Sequence, residues 1–196
     1  MSHPETAFTK STSEPRLTWI LCEHLKTISD SARLTGRWGQ ENQFGTIDAK
    51  AGKVLKSYRT DIEYFSNRSL ERIRLIFEFK KIDDSAKTLR KYWGVDGMRR
   101  FIDGDYSVGE PFALMAGILL KPKAACVAAL KNVLRSEKCK VLQWRNGGDI
   151  IEPSTAFPRD AEFDTEHVRP VGKAPTQGYI RIGHLFLCFV VPSASQ

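Results

Sequence analysis

Residues 73–80 restrict the possible folds of this chain more than any other segment, because apolar and charged side chains alternate along them. Successive side chains of a β-strand point to opposite faces of the sheet. The alternation therefore predicts a strand with one strongly apolar face and a second face that carries Glu78 and Lys80 side by side. The apolar face consists of Ile73, Leu75, Phe77 and Phe79.

The remaining pattern places this strand in a single mixed α/β domain. Apolar residues at helical spacing predict helices from Ser13 to about Ser31 and from Ala124 to about Arg135, and residues 86–102 read as two short helices or one kinked helix. Extended segments are expected at 57–65, 112–120 and 179–191, with a ragged hairpin within 33–56 and a long surface loop at 145–177. The predicted order is α-β-β-β-α-β-α-β, a mixed central sheet flanked by helices over residues 13–196, after a disordered arm at 1–12.

Charge and cysteine content narrow the function classes. Thirty Lys and Arg against 23 Asp and Glu leave a net charge of +7, which favours a polyanionic partner. The four cysteines form no CxxC pair, so we expect no zinc knuckle or disulfide scaffold and a reducing, cytoplasmic location. No apolar stretch is long enough for a bilayer, so we expect no membrane partner.

Two carboxylates can meet beside Lys80. If the segment that contains Asp61 pairs with residues 73–80 as a hairpin, Asp61 approaches Glu78. Mg²⁺ prefers oxygen ligands and keeps several waters, so two carboxylates and a carbonyl suffice to hold it. Lys80 would then hold or polarise an attacking water. The alternative is a solvated Glu–Lys pair on an edge strand.

Glu14 is a further candidate, because it lies three residues before Leu17 and projects from the apolar stripe of the first helix. A carboxylate on that side is costly unless it is paired or faces a metal. The alternative is a first-turn Glu that merely complements the helix dipole.

Asp61 followed by Glu78-Phe79-Lys80 resembles the core motif of the PD-(D/E)xK (restriction-endonuclease-like) nuclease superfamily. The predicted element order is also similar to that fold's αβββαβ core. Further segments resemble a branch of small bacterial restriction-like endonucleases, namely residues 14–18, 59–62, 97–106, 115–117 and 183–187. One departure is Thr60, where the family often has Pro.

The resemblance implies Mg²⁺-dependent hydrolysis of DNA phosphodiester bonds, with Mn²⁺ as a substitute metal. It implies that Asp61 and Glu78 hold the metal with the Phe79 carbonyl, that Lys80 orients the water, and that Glu14 binds a second metal or tethers the first. Glu63 lies on the same face as Asp61 and is an alternative to it. Glu41 is another accessory carboxylate.

Basic residues near the motif are the candidate DNA contacts. Met98, Phe101 and Ile102 are expected to face the core, which turns Arg99 or Arg100 outward toward phosphate, and Lys81 extends this surface. The alternative is a solvated helix face.

Two histidines are interpreted differently. We expect His184 to be a core residue of the last strand, and we place His167 in the long loop, where it can approach DNA.

The resulting hypothesis is an endonuclease that acts in bacterial defence against phage DNA. A catalytic domain of this size needs a homodimer or a defence-system partner protein to cut both strands. The alternative function is a catalytically silent nucleic-acid-binding or assembly subunit that retains the fold.

Overall fold

The computed structural model describes residues 10–31, 36–48, 53–66, 72–136 and 141–188. Its helices and strands, numbered in chain order, are α1 (Glu14–Ser31), β1 (Arg37–Gln40), β2 (Gln43–Asp48), β3 (Lys53–Arg59), β4 (Ile62–Ser66), β5 (Ile73–Ile82), α2 (Ala86–Trp93), α3 (Met98–Ile102), β6 (Phe112–Leu119), α4 (Lys123–Arg135), β7 (Phe163–Val168) and β8 (Tyr179–Cys188). A short 3₁₀ turn spans Arg145–Gly147. No helix of the described residues is long and apolar enough to cross a membrane.

Within these residues, six strands form one mixed sheet in the order β1-β4-β5-β6-β8-β7, and β2 pairs with β3 in a separate two-stranded ribbon. The strands β4 and β5 are antiparallel, whereas β5, β6 and β8 run parallel. The parallel strands are joined through α2 and α3 and through α4, as parallel pairing requires a crossover. The mixed α/β class predicted from the sequence is confirmed.

Alternate side chains of β5 belong to two hydrophobic cores, one on each face of the sheet. On one face, α1 contributes Leu17 and Cys22 to a cluster with Phe79. On the other face, α2, α3 and α4 cover Ile76 and Ile82. Burial of these apolar side chains is the main force that holds the helices on the sheet. The alternation predicted along residues 73–80 is therefore confirmed, but the face that carries Glu78 and Lys80 is also a core face, and Ile73 on the predicted apolar face is 44% exposed.

Three sequence expectations need correction or lie outside the described residues. The extended segment 57–65 is two strands in two sheets, because the chain leaves the ribbon at Thr60, whose N–H donates to the Asn42 carbonyl at 3.1 Å. A disordered arm is predicted over residues 1–12. Residues 1–9 lie outside the described residues, and residues 10–12 form a turn. The polar residues 66–69 predict a turn before the strand at 73–80, and all of them except Ser66, the last residue of β4, lie outside the described residues.

The prediction of a surface loop over 145–177 is wrong in its centre, because β7 lies there and pairs with β8. Asp164 is fully buried in β7, where its carboxylate accepts hydrogen bonds from Ser154 Oγ and from the N–H groups of Thr155 and Ala156. A buried carboxylate is tolerated when it is hydrogen-bonded in this way. His167 lies in the same strand and is fully buried, so its placement in a DNA-facing loop is also wrong.

His184 is the core residue that we expect from the sequence. It is fully buried, stacks on Phe163, and forms hydrogen bonds with Tyr92 and Thr165. Burial lowers the pKa of His184 well below its usual value, and the charge of His167 lowers it further.

His167 makes folding sensitive to acid. Its Nδ1 donates to the Leu142 carbonyl at 2.6 Å, and burial lowers its pKa to about 4 against the opposing effects of that hydrogen bond and of Glu166. The unfolded histidine binds a proton below about pH 6.5, while the folded one stays neutral down to about 4. The stability contributed by neutral His167 is therefore present above pH 6.5 and is lost as the pH falls through that window.

We expect the substitution His167→Asn to remove this dependence, because the asparagine amide can still donate to the Leu142 carbonyl. The difference in unfolding free energy between wild type and variant should shrink by about 2 kcal/mol between pH 7.5 and pH 5. Urea denaturation at both pH values measures it. A difference that stays constant would show that His167 titrates normally in the folded protein.

Candidate functional site

The predicted site residues meet where β5 extends beyond the start of β4. The antiparallel register pairs Ile62 with Phe77, so past this rung β5 has no strand partner on that side. Two carboxylates take the partner's place. Asp61 Oδ2 accepts the Phe79 N–H at 2.7 Å, and Glu14 Oε2 accepts the Lys81 N–H at 2.9 Å.

Lys80 joins Glu14 to Glu78. Its ammonium donates to Glu78 Oε1 at 2.7 Å, to the Phe79 carbonyl at 2.8 Å and to Glu14 Oε1 at 3.2 Å. An ammonium has three N–H donors, so these bonds use all of them. Both Glu78 and Lys80 are buried. The structure thus brings Glu14 and Asp61 to the segment of β5 that carries Glu78 and Lys80.

Burial dominates the electrostatics of the two carboxyl groups nearest Lys80. Burial raises the pKa of Glu78 to about 7, with Lys80 opposing this effect and Asp61 adding to it. Burial also raises the pKa of Asp61, against the attraction of Lys80 and the Phe79 N–H. Burial alone would lower the pKa of Lys80, but the carboxylates of Glu78, Glu14 and Asp61 together raise it, so Lys80 stays an ammonium.

Arg100 is the second cation at this cluster. One guanidinium nitrogen lies 3.8 Å from Glu78 Oε1 and the other lies 3.8 Å from Asp96 Oδ1. Met98, Phe101 and Ile102 are fully buried, as predicted, and this packing sets the direction of Arg100. Across the described residues, the carboxyl groups of Glu14, Asp61 and Glu78 lie around Lys80 and Arg100, and the pKa of about 7 leaves Glu78 partly protonated at neutral pH.

Tyr106 supports the cluster and was missed by sequence reasoning. Its hydroxyl donates to the Arg59 carbonyl and accepts from Arg100. It thereby ties α3 to the chain just before Asp61. Burial raises the pKa of Tyr106 to about 12, so the hydroxyl stays protonated at neutral pH. The sequence signal that could have identified Tyr106 is its position at the end of residues 97–106, a segment that resembles small bacterial restriction-like endonucleases.

The other candidate residues have partners of their own. Lys81 Nζ donates to the carbonyls of Lys10 and Thr12, so it anchors the turn before α1. Arg99 pairs with Asp103 at 2.9 Å. The DNA contacts predicted for Arg99, Arg100 and Lys81 stay predictions.

The two alternative carboxylates lie outside the cluster. Glu63 is on the same face as Asp61 but accepts from Arg74 Nε at 2.5 Å and from Asn42 Nδ2 at 2.6 Å. Glu41 pairs with Arg59 at 3.5 Å. Their partners occupy them in structural contacts.

The donor set suits a hard divalent cation. Asp61, Glu78 and the Phe79 carbonyl offer only oxygen, and Glu78 Oε2 is buried with no hydrogen-bond partner among the described residues. A buried carboxylate oxygen without a partner is costly, and a cation would satisfy it. No group of three or more Asp, Glu, His or Cys side chains within the described ranges forms a metal site by itself. A bound ion would therefore rely on the carbonyl and on water.

Comparison with protein-family models, with curated proteins and with solved structures found no match for this chain.

Proposed function

We propose that this protein is a Mg²⁺-dependent endonuclease with a restriction-endonuclease-like core that hydrolyses DNA phosphodiester bonds. The observation that carries the proposal is the convergence of Asp61, Glu78 and Lys80 at the unpaired edge of β5, with Glu78 Oε2 left without a partner. A divalent cation would satisfy that oxygen and favour the ionised form of Glu78.

The order of elements supports the same proposal. If the β2–β3 ribbon is set aside as an insertion, the chain runs through α1, β1, β4, β5, the helices α2 and α3, and β6. This is the αβββαβ order, with the motif on an antiparallel hairpin. Fold alone does not define activity, so the proposal depends on the side chains at the hairpin.

Each residue has a distinct task in such a reaction. A bound Mg²⁺ would neutralise phosphate charge and lower the pKa of water. Asp61, Glu78 and the Phe79 carbonyl would hold it. Lys80, as a buried ammonium, would exchange its longest hydrogen bond, the one to Glu14, for a bond to the attacking water and orient that water for in-line attack. Arg100 would contact the phosphate. Glu14 would position Lys80, because it shares that ammonium with Glu78.

A second function has one observation in its favour. Lys80 and Glu14 already have hydrogen-bond partners for all the donors of the ammonium and for both carboxylate oxygens. Such a closed network would suit a silent subunit that binds nucleic acid, or one that opens only with a partner. The resemblance to restriction-like endonucleases implies a role in bacterial defence and assembly as a homodimer, and both are compatible with either function.

Incubation of supercoiled plasmid with the purified protein tests the proposal. We expect nicking or linearisation in Mg²⁺ or Mn²⁺, none in EDTA, and none by Asp61→Asn. Glu63→Gln is the matched control, because it alters a carboxylate on the same sheet face that has other partners. If wild type retains plasmid in a gel shift but never cuts it, the silent binding subunit is the correct function.

A further inference from the structure

A groove of about 710 Å³ lies beside α2, outside the carboxylate cluster. It is lined by α2, by the turn that leads to α3, by Arg99 and by Val141. Its walls carry the largest set of candidate phosphate contacts that the proposed reaction does not use.

Three exposed cations line one wall of this groove. Arg90 and Lys91 follow Lys87 by three and four residues, so the three side chains share one face of α2. Among the described residues, none of them has an acidic side chain within 4.0 Å. Three other exposed cations do have such partners, as Lys121 has Asp84, Lys123 has Glu162 and Arg135 has Asp149. The groove cations differ from scattered exposed arginines such as Arg16 and Arg159 because they lie together on one helix face.

Arg99 completes the lining from α3. Its Nε is buried and has no hydrogen-bond partner among the residues described, although another nitrogen of the same guanidinium pairs with Asp103. A guanidinium suits bidentate contacts with phosphate. The groove therefore presents four cations and one carboxylate, Asp96.

Ion-pair contacts link the groove wall to the candidate site. Asp96 lies in the groove wall and 3.8 Å from Arg100, and Arg100 lies 3.8 Å from Glu78. The turn between them is closely packed, because a Cβ on Gly97 would lie 2.1 Å from the Tyr92 carbonyl oxygen. The turn thus holds α3 tightly against the end of α2.

We propose that this groove binds the sugar-phosphate backbone of the nucleic acid that the carboxylate cluster cleaves. The inference rests on the proposed function for the identity of the ligand. A row of cations without acidic partners is the arrangement that attracts a polyanion by charge and gives no sequence preference. The lining also places this backbone contact next to Arg100, on the path to Glu78.

A triple variant with Lys87→Ala, Arg90→Ala and Lys91→Ala tests the groove. Duplex DNA of 30 bp is titrated in EDTA, so that no cleavage occurs, over a range of NaCl concentrations. The slope of log K against log salt changes by about 0.9 for each phosphate contact. We expect the slope to fall by up to about 2.7 in this variant.

The matched control combines Lys121→Ala, Lys123→Ala and Arg135→Ala. It removes the same charge from the net +7, but from cations that have acidic partners. We expect its slope to stay near that of wild type. Equal slopes in wild type and the groove variant, or equal losses in both triple variants, would overturn the proposal.

The two proposals fail separately. If the wild-type protein never cuts plasmid, but the groove variant binds DNA more weakly than wild type, the nuclease proposal is refuted and DNA binding in the groove is supported. A protein that cuts plasmid with an unchanged salt slope in the groove variant refutes the groove alone. Circular dichroism verifies that both triple variants fold, as expected for exposed positions, all of them helical except Lys121.

Discussion

Replacing Lys80 by methionine is expected to lower the rate of Mg²⁺-dependent plasmid cleavage by about 10²- to 10³-fold, the usual cost of removing one positioned charged donor. Lys80 is held as an ammonium by three carboxylates, so its contribution is a fixed positive charge and hydrogen bonds rather than proton abstraction. Single-turnover cleavage at saturating protein measures the rate. Lys26→Met, on the exposed face of α1, is the matched control and should cut at the wild-type rate.

The same substitution also lowers stability, because it leaves buried carboxylates without their cation. Breaking a buried ion pair costs about 3–5 kcal/mol. Lys80→Arg separates the two effects, since it keeps the charge but replaces the compact ammonium with a planar guanidinium. We expect Lys80→Arg to fold and to remain slow. Wild-type rates in both variants would remove Lys80 from the reaction.

Mg²⁺ is expected to stabilise the folded protein, and Glu78→Gln is expected to abolish this effect. Binding to the folded state alone adds about 2.7 kcal/mol when the ion is at 100 times its dissociation constant. The physical reason is that the ion would offset the cost of burying the Glu78 carboxylate and would satisfy its oxygen without a partner. Urea denaturation with MgCl₂, compared with NaCl at equal ionic strength, measures the gain.

Glu63→Gln is the control for this prediction too. Its carboxylate is buried on the same face but is bonded to Arg74 and Asn42, so the variant should lose stability and keep its response to Mg²⁺. A response lost in both variants would place the ion elsewhere. No response in wild type would refute metal binding at this cluster.

Local pattern was sufficient for much of the fold. The alternation over residues 73–80 and the helical spacing in α1 and α4 survive in the structure, because one apolar face of each element packs against the sheet or a helix. The strand β7 could not be predicted this way. Its residues Asp164 and His167 are polar, and only distant partners such as Ser154 and the Leu142 carbonyl make their burial possible.

The site was predictable to a similar extent. Alternation and hairpin pairing brought Asp61 to Glu78, and the stripe of α1 singled out Glu14. What the sequence did not show is that both Asp61 and Glu14 accept main-chain N–H groups from β5. That arrangement depends on where β4 begins, which is set by the departure of the chain at Thr60 toward Asn42. Tyr106 was missed because its partners, Arg59 and Arg100, meet only in the folded chain.

The parallel pairing of β6 with β8 has a consequence for biosynthesis. The strand β6 is apolar throughout and lies inside the sheet. It is synthesised well before its partner β8, since Phe112 pairs with Arg181. Until residues 179–188 have left the ribosome, one edge of β6 exposes free backbone groups beside Leu114 and Met115, an open template for pairing with another chain. The nascent protein is thus most prone to aggregation after β6 has emerged and before β8 follows, and chaperone binding in that interval would protect it.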